Sequence, residues 1–457
     1  MSRQRTRRAL ILACAAVVGI TAVAYAHTAL RRSEPAEDAR LEEPPTAVTL
    51  SFTTAVDARL ARVQLLRPDG GSVSLDSLRT GETDSIVVAP IAETLAAAEY
   101  TVVWQVVGSD GHPVRGQFAF VVDPQQSEQP QAPPQPEPES PPIPVSDLPD
   151  PATDVQAPSY VAARWLTFTT LLVVIGAVVF RALVLEPVRR RSSLPSGGAA
   201  DVAAARAAAL GRGAAAFLVL GAGVRLLLQA RALDMGGDTM AALRVMLLDT
   251  PWGWGWLLQV GAALLVLGGF QRATRDPRRG WGVAAIAALA LAFTPALSGH
   301  AAAVEGLGPV AVVLDGAHVL GASAWLGTLL VLLLAGVPAA LAQGGPAGRG
   351  MVADLVNRFS PLALVFAGFV AATGVAAAVI HLAALSELWG TAYGRTLLVK
   401  VGLVAIVILL GAYNWRRVRP TLTEAGPARL RRSAALELIA AAAILLATSI
   451  LVATPTP

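Results

Sequence analysis

The sequence predicts two architectures in one chain: an all-β, Ig-like sandwich on the extracytoplasmic side, then an all-α polytopic membrane domain of about eight transmembrane helices. Three observations carry this reading. Apolar residues make up 54% of the 457 positions and charged residues only 15%, with a mean hydropathy of +0.56, whereas soluble chains carry about a quarter charged residues. The apolar excess lies after residue 160. Before residue 122 the chain consists instead of short alternating runs separated by turn residues.

The elements follow in order. Arg3 to Arg8 form a basic head, Ala9 to Val23 an apolar stretch, and Ala24-Tyr25-Ala26 supplies the small residues that signal peptidase reads. Residues 1–26 are therefore expected to be a signal peptide, with His27 the first residue after cleavage; an uncleaved anchor helix is the alternative. The apolar stretch is short for a span of about 20 residues, which favours cleavage. The only cysteine, Cys14, lies inside that segment, so the mature chain can hold neither a disulfide nor a thiolate metal site. Cleavage also changes the chemistry of His27. A free α-amine has a pKa of about 7.7–8.0 and loses its proton far more easily than a lysine. Amine and imidazole of one residue can then chelate a metal through two nitrogens, a donor pair that suits Cu(II).

Residues 27–122 read as the sandwich. The strand runs are AVTLSF (47–52), LARVQLL (60–66), SVSL, SIVVAP, EYTVVWQVV (99–107) and VRGQFAFVV (114–122), with PDGG as a turn. The last two flank the loop GSDGHP, where Asp110 and His112 are separated by Gly111. A carboxylate and an imidazole at a hairpin tip can converge on one point, and glycine gives the backbone the freedom to let them. An ordinary Asp-Gly hairpin turn with an exposed histidine is the plainer alternative.

HTALRRSEPAEDARLEEPPTAVTLSF and EYTVVWQVVGSDGHPVRGQFAFVV together resemble the start and the C-terminal hairpin of CopC-type copper-binding domains. That resemblance implies a Cu(II) site in which His27 gives amine and imidazole, while Asp110 and His112 fill the other in-plane positions. Some members carry a methionine-rich Cu(I) site as well. No methionine lies between His27 and Val122, so one Cu(II) site and no Cu(I) site is expected. An amine–histidine pair also resembles the copper brace of oxidative polysaccharide-cleaving enzymes. Such chemistry needs an open coordination position, which Asp110 would close, and the chain is therefore expected not to be an enzyme.

Residues 123–159 are rich in Pro, Gln, Glu and Ser and are expected to be an extended tether. From 160 to 457, eight apolar spans lie near 162–184, 206–229, 253–270, 281–299, 310–334, 359–382, 395–414 and 433–453. Arginine clusters at Arg189-Arg190-Arg191, at 272–279, at Arg349 with Arg358, and at 415–432 fall in alternate loops. The positive-inside rule places those loops in the cytoplasm and the β domain outside, as the signal peptide also requires. The net charge of +4 and sequence pI of 9.7 thus reflect orientation in a bacterial cytoplasmic membrane rather than a nucleic-acid surface. PWGWGW (251–256) is expected to be an interfacial aromatic belt.

Ionisable residues inside spans are costly and hence functional candidates. Asp315 and His318 are one turn apart on the fifth span, with Trp325 seven residues beyond His318; His300 ends the fourth span and His381 the sixth. With Arg225 and Lys400 they are expected to cluster at one depth near the outer surface. Asp315 has two open roles, pairing with Arg225 or Lys400 and binding metal. SGHAA and DGAHVLGASAWLG resemble the histidine-bearing helices of the CopD-type membrane domain, which implies a copper path through His300, Asp315, His318 and His381. Two imidazoles clamping a haem is a reading of another class for the same residues. The whole chain is therefore expected to capture Cu(II) outside the membrane and mediate copper uptake, with copper and the bilayer as partners. Extracytoplasmic buffering without transport is the rival. GxxxxGK[ST] is absent from the sequence, so ATP-driven pumping is not expected.

Overall fold

The computed structural model describes residues 28–108, 111, 113–123, 158–191, 197–233, 238–299, 307–382, 384–418 and 426–454. These form two compact units, one made of the β domain with Leu227–Gly253 and the other of the remaining helices.

The β domain is a sandwich of two sheets. With β1 Leu30–Glu34, β2 Arg40–Leu41, β3 Ala47–Phe52, β4 Arg62–Leu66, β5 Ser72–Val73, β6 Arg79–Thr80, β7 Ile86–Pro90, β8 Ala98–Val107 and β9 Pro113–Val122, the strand orders are β1-β3-β7-β6 and β2-β9-β8-β4-β5. Alternation decides which side chains face inward. Val48, Leu50 and Phe52 of β3 are buried against Val102, Trp104, Phe118 and Phe120 of the other sheet. Phe52 and Trp104 meet edge to face with ring centres 5.3 Å apart. Gly116 lies across from Trp104 in the β8–β9 ladder, and its missing side chain leaves room for the indole, which a Cβ would meet at 2.4 Å.

Among the described residues, seven helices are long and apolar enough to cross a bilayer. They are α1 Pro158–Arg191, α2 Ala199–Leu233, α4 Pro251–Arg272, α5 Pro277–Leu297, α6 Gly308–Leu341, α7 Gly345–His381 and α8 Ala392–Tyr413. The short α3, Thr239–Asp249, lies between α2 and α4. The eighth expected span is α9, Gly426–Leu451, whose apolar part among the described residues, Ala435–Leu451, is shorter than the others. Leu220, Ile286, Val365 and Leu409 are exposed on these helices, an arrangement that suits lipid rather than water. The chain is a multi-pass membrane protein.

Local chemistry sets the helix ends. Asp276 accepts from the Arg279 amide ahead of Pro277, and Thr391 accepts from the Gly394 amide, satisfying N–H groups that a helix start leaves open. α1 and α6 cross at Gly176 and Gly327, whose backbones approach so closely that a Cβ on Gly327 would lie 2.0 Å from the Leu172 carbonyl oxygen. Small residues at a crossing allow such contact. α6 also contains π turns at Ser323–Gly327 and Leu332–Gly336.

Candidate metal centre

His27, Asp110 and His112 lie outside the described residues, but their neighbours do not. Thr28 is buried, and its hydroxyl shares a hydrogen bond of 2.6 Å with that of Thr54. The Ala29 amide donates to Thr53 Oγ1 at 2.9 Å, and the Thr53 amide to the Ala29 carbonyl at 2.9 Å. At the other end of the same short segment, Val56 bridges antiparallel to Gly108, just past the end of β8. The β8–β9 ladder closes at Val107 opposite Pro113. Gly111, between them, donates from its amide to the Gly108 carbonyl at 2.9 Å and has φ +77°, a conformation glycine adopts without steric cost. Thr53 to Val56 therefore ties down both the residue after His27 and the residue two before Asp110.

Gly111 is also covered. Gln229 Nε2 donates to its carbonyl at 2.7 Å, and a Cβ on Gly111 would meet Trp252 Cδ1 and Cγ at 2.5 Å. The sequence gives little sign of Gln229, and it misassigned Trp252. Of the expected aromatic belt, Trp252 is 3% exposed and packs on Gly111, while Trp254 is 62% exposed and free to face an interface. Trp256 donates its indole N–H to the Ala222 carbonyl at 2.9 Å. Three tryptophans at a spacing of two cannot share one helix face, and packing divides their roles.

Nearby in the same unit, Arg59 forms an ion pair with Asp57 at 2.7 Å and with Asp249 of α3 at 2.8 Å. Burial alone would raise the Asp57 carboxyl, but hydrogen bonds from the Arg59 side chain and amide outweigh it and hold the group below its usual value. The same partners push the Arg59 guanidinium up.

In the helical unit His300 lies outside the described residues. His318, on α6, has Nδ1 2.9 Å from Thr373 Oγ1 on α7. His381 ends α7, with Nδ1 2.8 Å from the Ala377 carbonyl and its ring stacked on Tyr393 of α8 at 6.4 Å and 16°. Lys400 of α8 is within electrostatic range of both Asp315 and His318, and Asp315 acts similarly on Tyr393. Arg225 donates to Gln259 at 3.0 Å and to Ser298 at 3.4 Å.

His318 and His381 are set at different levels along α7. His318 sits level with Thr373, eight residues before His381 on α7, a rise of about 12 Å. Neighbouring helices set the depth of each side chain, and a position near a span's end does not report it. The heptad link from His318 to Trp325 is interrupted as well, because Trp325 lies in the π turn Ser323–Gly327 and is buried; a π turn adds a residue and rotates the helix beyond it. Among the described residues, no three His, Cys, Asp or Glu side chains are grouped so as to hold a metal ion.

Thr373 and Glu437 escaped the sequence reading. Glu437 is buried and accepts from Asn414 Nδ2. A lone carboxylate in the apolar run AALELIAAA was the signal that could have found it.

Residues 30–123 match the CopC domain, residues 153–310 the copper resistance protein D-like N-terminal domain, and residues 353–451 copper resistance protein D. The chain is 26% identical over 417 residues to the copper transport protein CutJ of Bacillus subtilis (strain 168), an alignment covering 88% of this chain and 70% of that protein. It is 30% identical over 104 residues to protein YobA of Escherichia coli (strain K12), covering 22% of this chain and 84% of YobA. A crystal structure of CopC from Methylosinus trichosporium OB3b is similar at 27% identity, with TM-score 0.20, covering 22% of this chain and 97% of that one. A β-sandwich joined to a helical membrane domain, both matching copper proteins, defines a copper-related membrane protein. The chain belongs to the family of CopC–CopD fusions.

Proposed function

We propose that this chain captures Cu(II) outside the cytoplasmic membrane and passes copper into its membrane domain for uptake. The observation that carries the reading is the segment Thr53–Val56, which ties the flank of His27 and the flank of Asp110 to one edge of the sandwich. In this reading the α-amine and imidazole of His27, the Asp110 carboxylate and the His112 imidazole complete a tetragonal N/O set of the kind Cu(II) prefers. The copper then follows His300, His381, Asp315 and His318, polar groups placed where a bilayer makes them costly. Similarity to a protein named for copper transport over most of the chain supports the direction of the argument. The arginine-rich loops support an extracytoplasmic β domain. Neither capture nor passage requires a bond-making step, so the role is binding and transport rather than catalysis.

The test is copper entry into proteoliposomes carrying the full-length protein, read by an enclosed copper-sensitive dye. Entry that exceeds empty liposomes and falls in His318→Ala supports uptake through the helices. Entry equal to that of empty liposomes, with Cu(II) still bound outside, assigns the protein to buffering instead. A Soret band in the purified protein assigns the two described membrane histidines to haem.

A further inference from the structure

The hydrogen bonds around His318 fix more than its position. Thr373 has one hydroxyl proton, and its Oγ1 lies 2.9 Å from the Phe369 carbonyl and 3.1 Å from the Val370 carbonyl. Carbonyls only accept, so that proton is committed to them. The 2.9 Å contact between Thr373 Oγ1 and His318 Nδ1 then has the imidazole N–H as donor and the hydroxyl as acceptor. A neutral imidazole with its proton on Nδ1 keeps its lone pair on Nε2. His381 reaches the same state by another route, because its Nδ1 faces the Ala377 carbonyl, which also only accepts. Thr373, Ala377 and His381 follow one another at four-residue spacing on α7 and so share one stripe of that helix. Thr373 is 6% exposed, so water has little access to replace its hydroxyl.

We propose that Thr373 is a positioning residue that locks His318 with Nε2 as its copper donor. His318 and His381 are then successive single-imidazole stations, about two helical turns apart along α7, rather than two ligands of one compact site. This inference rests on the proposed membrane path and adds to it the donor atom and the residue that sets the tautomer. An outer hydrogen-bond partner of this kind typically changes metal affinity or activity by about 10–100-fold when removed.

The experiment uses metal-free full-length protein in lipid nanodiscs with 15N-labelled histidine, because nitrogen shifts distinguish a protonated ring nitrogen from one carrying a lone pair. His318 is expected as the Nδ1–H tautomer in the wild type and in Thr373→Ser. Thr373→Val, nearly the same shape, releases it to a mixture and slows copper entry about tenfold or more. His381 stays Nδ1–H in all three proteins. A wild-type His318 protonated on Nε2 overturns the proposal, as does a Thr373→Val protein with unchanged tautomer and unchanged entry. If the tautomer is as expected but His318→Ala admits copper normally, the membrane path itself has failed and the station falls with it.

Discussion

Replacing Gly111 with alanine tests whether the turn between Asp110 and His112 is held from outside the hairpin. Two costs add. At φ +77° a Cβ is strained, by roughly 1–2 kcal/mol for an L-residue in the left-handed region. The new methyl would also lie 2.5 Å from the Trp252 ring, and overpacking of this sort costs roughly 1–3 kcal/mol. The sum, roughly 2–5 kcal/mol, shifts the closed turn toward open forms by at least about thirtyfold. Hydrogen exchange of the full-length protein reads this directly, because the Gly111 amide donates to the Gly108 carbonyl in the closed turn. Faster exchange at that amide is expected in Gly111→Ala, together with weaker Cu(II) binding. Adding Trp252→Ala removes the clash but not the backbone strain, so the double variant should recover roughly the 1–3 kcal/mol of overpacking. Unchanged exchange in Gly111→Ala, or a cycle with no coupling to Trp252, refutes this account of the loop.

Other consequences are simpler. Gly327→Ala drives a methyl into the Leu172 carbonyl at the α1–α6 crossing and should lower the thermal midpoint in detergent, since neither backbone can yield. Gly261→Ala on α4, where a Cβ meets nothing within 4 Å, should be neutral or stabilising by up to about 1 kcal/mol in the same assay. The Asp57 carboxyl is held below its usual value of 3.8. Its contribution is thus present above about pH 3.8 and is lost as pH falls through the lower folded value. Because the Arg59 partner is largely exposed, the effect is below about 1 kcal/mol. Comparing wild type with Asp57→Asn in acid titrations of unfolding should show the difference shrinking below that pH.

How much of this was legible in the sequence depended on the length of each signal. β3, β8 and β9 lie almost where their alternation placed them. Arg40–Leu41 and Arg79–Thr80 are two-residue strands too short to alternate visibly, and LRRSE reads as polar surface although it pairs with β3. The spans were readable because lipid demands long apolar runs. The π turns in α6, at Ser323–Gly327 and Leu332–Gly336, were not, because no residue pattern marks them. The stagger between His318 and His381 was hidden for the same reason. Thr373 looks like any helical threonine until the structure places its hydroxyl against the His318 ring.

The most direct test of the central claim is Cu(II) binding by the full-length protein with His27 at its processed N-terminus, beside a version carrying one extra residue before it. EPR and competition titration read geometry and affinity together. Tight, tetragonal, nitrogen-rich binding that weakens sharply once the amine is displaced is the expected result. Equal binding by the two proteins, or binding by neither, contradicts a site made by cleavage at His27.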